Sequence, residues 1–260
     1  MPLESFIDQT GSEIRLSGSP TRIVSLVPSQ TELLYHLGLE PFVVGITKYC
    51  VHPTQWRESK TVVGGTKTPD LEVISRLQPQ LIIGNKEENR KADIQALRSN
   101  FPVWISDVGN LDDALGMIRS VAAMTDTYTI ASGIIGQIEE GFARIKKGPP
   151  KSALYLMWRK PWMAAGAGTF IDAMLGKIGL RNCIGDRRRY PELTPDLIAA
   201  ITPEIVFLSS EPFPFREKHV KEVRALWPQS RILLVDGEMF SWYGSRLIQA
   251  ADYFSALALD

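Results

Sequence analysis

The sequence is poor in cysteine and histidine and carries no net charge, and each shortage argues against a class of protein. Two cysteines, Cys50 and Cys183, are too few for a disulfide framework, so both are expected as free thiols. Three histidines disfavour a multi-imidazole site, and no metal ligand set is predicted. The 29 Lys and Arg residues balance 29 Asp and Glu residues, which argues against a nucleic-acid partner or an anionic membrane surface.

Long apolar runs and nucleotide-binding loops are missing as well. No apolar run approaches the ~20 residues of a membrane span, so no membrane insertion is predicted. The first residues have neither a basic leader nor an apolar signal core, so the chain as given is expected in the cytoplasm unless an export segment was removed. Gly166-Ala-Gly168 lacks the third glycine of a dinucleotide fingerprint, and P-loop and nucleophile-elbow motifs are absent. We therefore predict no enzymatic activity and no required cofactor.

Proline is absent between Pro102 and Pro149, although the chain contains 17. Inside this gap apolar residues recur at four-residue steps, which is typical of an amphipathic helix: Ile130, Ile134, Ile138 and Phe142. We predict one long helix from Asp126 to Lys147, which would span roughly 33 Å at ~1.5 Å per residue.

Strands and helices alternate on both sides of this helix, which predicts an α/β protein with mainly parallel sheets. Residues 71–87 resemble residues 195–211 at a constant offset of 124, so that Glu72 matches Asp196. This repeat predicts two similar lobes: an N-terminal lobe at 1–124, a connecting backbone helix at 125–148 and a C-terminal lobe at 149–260. Ser29 to Glu32 reads as a capping box that opens the first helix.

Ligands of open parallel sheets bind outside the carboxyl ends of the strands, so we predict a ligand cleft between the lobes. Loops at these ends are rich in aromatic residues, together with two arginines. Such side chains suit a large, flat or partly anionic ligand. The candidates in these loops are Tyr49, His52, Trp158, Arg159, Trp162, Phe240, Trp242, Tyr243 and Arg246.

Six segments of the sequence form a recognisable series by their order and spacing: 22–32, 43–49, 63–65, 70–72, 77–83 and 240–246. In this series the chain resembles the helical-backbone (class III) periplasmic substrate-binding proteins that serve ABC importers of cobalamin and ferric siderophores. The resemblance implies two α/β lobes joined by one rigid helix. It also implies that a ligand binds in the cleft between the lobes and that the protein catalyses no reaction on it. It also implies an extracytoplasmic location, which conflicts with the missing export signal.

The resemblance adds residue roles. One carboxylate per lobe would dock the importer's permease, here Glu72 and Asp196. Tyr49 and Tyr190 match aromatic positions of cobalamin binders, whereas Thr66 and Asn85 stand where a cobalamin binder has tryptophans. The bound ligand would thus be a cobalamin-like corrinoid or a ferric-siderophore-like chelate, and we expect a monomer. Two alternatives stay open: a cytoplasmic chelate-binding or scaffold relative without transport, and an α/β enzyme that uses the same cleft.

Overall fold

The computed structural model of the chain describes residues 3–257 and 259. The strands in this part of the chain are β1 (Glu4–Ile7), β2 (Glu13–Leu16), β3 (Ile23–Ser25), β4 (Val43–Ile46), β5 (Thr61–Val62), β6 (Leu81–Asn85), β7 (Val103–Ser106), β8 (Lys151–Trp158), β9 (Met163–Ala164), β10 (Leu180–Asn182), β11 (Ile205–Ser209) and β12 (Arg231–Val235). The helices are α1 (Pro28–His36), α2 (Trp56–Ser59), α3 (Leu71–Arg76), α4 (Lys91–Arg98), α5 (Leu111–Thr125), α6 (Tyr128–Ala143), α7 (Phe170–Lys177), α8 (Pro195–Ala200), α9 (Glu217–Leu226), α10 (Gly237–Ser241) and α11 (Leu247–Ala256).

The chain divides into two compact units. The first consists of Met1–Val108, Asp112–Ile138 and Trp242–Arg246; the second consists of Gly109–Leu111, Glu139–Ser241 and Leu247–Asp260. The boundary along the chain therefore falls inside α6, whereas the predicted limits were at 124 and 149. The segment Trp242–Arg246, which the sequence placed in the C-terminal lobe, belongs to the first unit.

The first unit contains a parallel sheet of order β5-β4-β3-β6-β7, and a separate hairpin pairs β1 with β2. Alternate residues of a strand share one face of a sheet. On one such face Val24 and Leu26 join Ile82 in a core with Ile74 of α3 and Ile94 of α4. Each buried aliphatic side chain of this kind contributes about 1.5–3 kcal/mol, so the strands hold their register through this core.

The second unit repeats this arrangement with a sheet of order β10-β8-β11-β12, in which these four strands run parallel and β9 pairs antiparallel with β8. Leu154, Leu156 and Leu208 alternate toward a core that is closed by Val223 of α9 and by Trp227, the residue after that helix. Parallel strands with covering helices confirm the predicted α/β class.

The 124-residue offset is visible in the elements themselves. α3 and α8 start and end 124 residues apart, and so do β6 and β11. β6 lies between β3 and β7, and β11 lies between β8 and β12, so the two sheets share the same order at this point. The internal repeat in the sequence therefore corresponds to a repeated helix–strand unit.

The long helix α6 is shorter than the predicted span from Asp126 to Lys147. Asp126 has a positive φ of 55°, which separates α5 from α6 instead of starting a helix. Beyond Ala143 the Arg144 amide donates to the Glu140 and Gly141 carbonyls and the Ile145 amide donates to the Phe142 carbonyl, as at a fraying helix end. Ile138 of the predicted apolar stripe is fully buried, but Ile130 is 47% exposed.

The predicted capping box at Ser29 to Glu32 is wrong. Helix α1 starts earlier, at Pro28, and its N-cap residue Val27 makes no side-chain cap bond. Proline suits this first position because its missing N–H would have had no helical partner. Ser29 therefore lies inside the helix, and the Glu32 carboxylate is directed to an arginine described below.

Both cysteines are free, as predicted; Cys50 is buried and Cys183 is half-buried. Among the helices that the structure describes, none is long and apolar enough to cross a membrane. Within the same residues, no group of three or more His, Cys, Asp or Glu side chains could hold a metal ion.

Candidate functional site

In the first unit, the loop after β4 presents an aromatic ring to solvent. Tyr49 is 52% exposed, and the Lys48 ammonium lies 5.2 Å from the centroid of its ring. Gly65 packs so closely that a β-carbon there would lie 3.2 Å from the Tyr49 ring. The ring is therefore positioned from one side and open on the other, as a stacking surface for a ligand requires.

Thr66 and Asn85 lie at the same carboxyl edge but take part in the loop structure. Asn85 is buried; its side-chain amide donates to Ser106 Oγ at 2.9 Å, and its carbonyl oxygen accepts from the Glu87 amide at 2.8 Å. The backbone carbonyl of half-buried Thr66 accepts from Asn89 Nδ2 at 3.0 Å. The structure thus gives Asn85 an internal role in holding the loop after β6.

The segment Trp242–Arg246 brings three more candidates into the first unit. The Arg246 guanidinium binds Glu32 with two contacts, Nε to Oε2 at 2.9 Å and an Nη to Oε1 at 2.7 Å. Only 8% and 5% of these two side chains are exposed. The indole of Trp242 lies 5.4 Å from this guanidinium and meets the ring of His52 edge to face at 5.6 Å.

Tyr243 is buried beside these residues, and its hydroxyl donates to Glu88 Oε1 at 3.0 Å. Loss of water around the phenol, and next the negative charge of Glu88, raise the pKa of Tyr243 well above its usual value. At neutral pH the phenol therefore remains a hydrogen-bond donor. Tyr243, Trp242 and Arg246 together fasten the segment to α1 and to the loops after β4 and β6.

In the second unit, aromatic side chains gather at the carboxyl ends of β8 and β11. Trp158 is 39% exposed and meets Phe213 edge to face at 5.9 Å. Half-buried Trp162 stacks on Phe215, with ring planes only 3° apart and centroids at 6.1 Å. Trp158 is the more accessible of the two indoles, whereas the indole of Trp162 is held in place by its stack on Phe215.

The remaining candidate ligand-binding residues of this unit are less accessible to a ligand. Arg159 forms a two-contact ion pair with Glu222, Nε to Oε2 at 2.7 Å and Nη2 to Oε1 at 2.9 Å. Phe240 is fully buried against Tyr155 and Phe207, where it belongs to the core of the unit. Tyr190 is half-buried in the loop after β10.

Glu72 and Asp196 occupy equivalent positions of two short helices. The Asp70 carboxylate accepts from the Val73 amide at 3.0 Å and begins α3, with Glu72 two residues later. The Thr194 hydroxyl accepts from the Leu197 amide at 3.3 Å and begins α8, with Asp196 again two residues later. Both acids are exposed, so each unit displays one carboxylate at the same place.

The sequence interpretation overlooked the carboxylates that bind the two candidate arginines, Glu32 and Glu222. Neither stands near its partner in the chain, so no local pattern could have identified them. It also passed over the run Arg187-Arg188-Arg189, which is plainly visible in the sequence.

Comparison with known proteins agrees with this architecture. The model of the family described as periplasmic binding protein matches residues 23–226. An uncharacterized ABC transporter substrate-binding lipoprotein of Bacillus subtilis is 24% identical over 94% of this chain and 82% of its own. A vitamin B12-binding protein of Photorhabdus laumondii is 24% identical over 91% of this chain and 87% of its own.

A crystal structure of the periplasmic heme-binding protein HutB of Vibrio cholerae superimposes with a TM-score of 0.76 at 24% identity, over 92% of this chain and 99% of that chain. The fold is thus the predicted one, and the family consists of binding proteins, in agreement with the prediction that the chain is not an enzyme. Since the family model matches 204 of the 260 residues, the chain belongs to the periplasmic binding protein family.

Proposed function

We propose that this chain is the substrate-binding protein of an ABC importer and that its ligand is a flat metal chelate, either a corrinoid or an iron chelate such as heme. The observation that carries this proposal is an exposed aromatic side chain at the carboxyl edge of each sheet, Tyr49 in the first unit and Trp158 in the second. Water solvates the apolar face of an aromatic ring poorly, so exposed rings at this edge are unfavourable unless a ligand covers them.

The chemistry of the relatives supports the ligand class. One related protein is named for vitamin B12 and another for heme, and both ligands present a broad macrocycle around a metal. Aromatic faces stack on such a ring without supplying a ligand to its metal. The proposed capture therefore needs no His or Cys cluster in the protein.

Titration of the purified protein with hemin, cyanocobalamin and a ferric siderophore tests this proposal. We expect one of them to quench tryptophan fluorescence at one equivalent without turnover. Tyr49→Ala and Trp158→Ala should each weaken that binding by about tenfold, since loss of one stacking face costs on the order of 1.4 kcal/mol. Tyr128→Ala is the control, because Tyr128 is 57% exposed but lies on α6.

If none of the three compounds perturbs the fluorescence at micromolar concentration, the proposed ligand class is wrong. Equal losses of ligand affinity in the Tyr49, Trp158 and Tyr128 variants would also contradict the proposal that the rings of Tyr49 and Trp158 contact the ligand.

We further propose that Glu72 and Asp196 dock the importer's permease. Their matched positions in α3 and α8 support this, because a pair of equivalent carboxylates suits a partner that presents one basic pocket to each unit. Each acid lies in the first turn of its helix, where a carboxylate also complements the helix dipole. The contact of Glu72 with Arg76 is a long 3.9 Å and largely solvated, so it leaves the Glu72 carboxylate accessible to a partner.

Reconstitution with a candidate permease in liposomes tests the docking. The double variant Glu72→Arg, Asp196→Arg should bind ligand normally but no longer stimulate ATP hydrolysis by the transporter. Glu58→Arg, a charge reversal at another exposed acid of the first unit, should stimulate as the unaltered protein does. Loss of ligand binding in the double variant would instead assign the two acids to the ligand site.

A further inference from the structure

A cavity of about 300 Å³ lies in the second unit, at the amino ends of β8 and β10. Lys151, the first residue of β8, and Leu180, the first residue of β10, both line it. Trp158 is the last residue of β8, so roughly 23 Å of strand separates it from Lys151 at ~3.3 Å per residue. The cavity is therefore distinct from the ligand site proposed at the carboxyl edge of the sheet.

The buried part of the cavity lining is apolar. It includes Ile178, Leu180 and Phe254, each of which is no more than 8% exposed. The ring of Phe254 meets those of Phe240 and Phe142 edge to face, with centroids at 4.8 and 6.1 Å, so it is fixed in place. An apolar chain that covers this wall would gain about 25 cal/mol for each Å² removed from water.

The segment between α6 and β8 forms another side of the cavity. Gly179 has φ 81°, and a β-carbon there would lie 3.0 Å from Lys147 Cβ, so a glycine lets this segment approach the turn after α7 closely. The Lys151 ammonium donates to the Leu259 carbonyl at 2.7 Å and brings Leu259 to the cavity. Three separate parts of the chain thus enclose the space.

Lysine supplies the charge of this cavity. Among the described residues that line it, the charged ones are Lys146, Lys147 and Lys151. Lys146 and Lys147 are exposed, and no carboxylate of the described residues lies within ion-pair distance of either ammonium. An ammonium binds an anionic oxygen with a charge-assisted hydrogen bond. Positive charge beside a buried apolar wall suits an anion that carries an apolar chain.

We propose that this cavity binds a small amphiphile with an acidic head group, of the fatty-acid class. Its chain would lie against Ile178, Leu180 and Phe254, and its carboxylate would lie beside Lys146 and Lys147. Small-molecule pockets measure roughly 300–1,000 Å³, so this cavity, at the lower limit, admits a short single chain and not a broad macrocycle. It is a second binding site, independent of the proposed function.

Titrations of the whole chain with octanoate, 1-octanol and acetate, followed by saturation-transfer NMR, test the inference. We expect octanoate to bind, 1-octanol to bind about three- to tenfold more weakly because it has no charge, and acetate not to bind. The double variant Lys146→Gln, Lys147→Gln should weaken octanoate binding by about three- to tenfold, more at low salt than at high salt, and leave 1-octanol unchanged. The double variant Lys218→Gln, Lys221→Gln is the matched control, because it removes the same charge from exposed positions of α9.

No binding of octanoate at millimolar concentration would overturn the inference and leave the proposed function untouched. Equal affinity for octanoate and 1-octanol would overturn it too, as would equal weakening by the two double variants. Trp158→Ala should leave octanoate affinity unchanged; a loss would move octanoate to the carboxyl edge and contradict the inference. If octanoate binds as expected but hemin, cyanocobalamin and the siderophore do not, the inference is supported and only the proposed function is overturned.

Discussion

Two arginines form nearly the same ion pair in different surroundings. Arg246 binds Glu32 in the first unit, and Arg159 binds Glu222 in the second; in each pair the two contacts measure 2.7 and 2.9 Å. Each guanidinium also lies near an indole, at 5.4 Å and 5.9 Å. The exposed fractions differ, 8% and 5% in the first pair against 22% and 42% in the second.

This difference in burial decides what each pair does. Water can solvate Arg159 and Glu222 when they separate, so their pair contributes little to stability. Water cannot solvate Arg246 and Glu32 in this way, because both side chains are buried. Removal of one of them therefore leaves the charge of the other buried without its counter-ion. Although the two geometries are nearly the same, burial therefore makes the Arg246–Glu32 pair important for stability and leaves the Arg159–Glu222 pair a weak surface contact.

Glu32→Gln should have the largest effect. It leaves the Arg246 charge buried without its counter-ion, which costs about 3–5 kcal/mol of unfolding free energy. Urea unfolding followed by circular dichroism measures the loss. The double variant Glu32→Leu, Arg246→Met removes both charges and should recover most of it. A single variant within 1 kcal/mol of the unaltered protein, as for a surface pair, would remove the distinction between the two ion pairs.

Gly244→Ala should come next, because it disturbs the segment that delivers Arg246. Gly244 has φ 122°, and a β-carbon there would lie 3.3 Å from the Ser29 carbonyl oxygen. Such backbone strain costs roughly 1–3 kcal/mol. Gly133→Ala is the control, since Gly133 lies in α6 with open space around its α-carbon. It should stabilise the protein by up to ~1 kcal/mol, and the two variants should move the melting temperature in opposite directions.

Arg159→Ala should cost only about 0.2–1 kcal/mol, since its pair with Glu222 is partly solvated. The loss should shrink further in 1 M salt, where the screening length is about 3 Å. Thermal unfolding at low and high salt measures both values. A salt-independent loss above 2 kcal/mol would show that the second pair is as structural as the first.

The smallest expected effect is a pH dependence in the second unit, where His219 lies on α9 with Glu222. Burial, and next the nearby Lys218 charge, lower the pKa of His219 below 6.5. The unfolded chain therefore binds a proton more readily than the folded chain does. The contribution of neutral His219 to the free energy of unfolding is complete above pH 6.5 and is lost as the pH drops through the lowered pKa. Glu222 and Arg159 act in opposite directions on this histidine.

His219→Gln keeps an acceptor for the Arg216 amide, which His219 Nδ1 accepts at 2.9 Å. In this variant the decline in unfolding free energy between pH 7 and pH 5 should be smaller. An unchanged pH profile would mean that other groups titrate in this range.

Local patterns in the sequence predicted the repeated architecture well. Apolar alternation and the matched helix–strand segments at 71–85 and 195–209 depend on residues near each other in the chain, and the elements have the expected offset. Helix ends were predicted less well, since Asp126 takes a left-handed backbone conformation that no apolar spacing reveals.

The roles of the arginines could not be read from the sequence for a different reason. Arg159 and Arg246 stand in aromatic loops, which is typical of ligand-binding residues. Whether a guanidinium is free depends on carboxylates that the fold brings from elsewhere, here Glu222 and Glu32. Arg188 lacks such a neighbour in the described part of the chain, although nothing in its own surroundings in the sequence distinguishes it.

The position of the Glu32–Arg246 pair also has a consequence for protein synthesis. The two residues are 214 positions apart, so a ribosome adds Arg246 to the growing chain 214 residues after Glu32. Until then the amino-terminal part carries a carboxylate in α1 whose partner does not yet exist. Completion of the first unit is therefore a late event of translation, although most of its residues are made early.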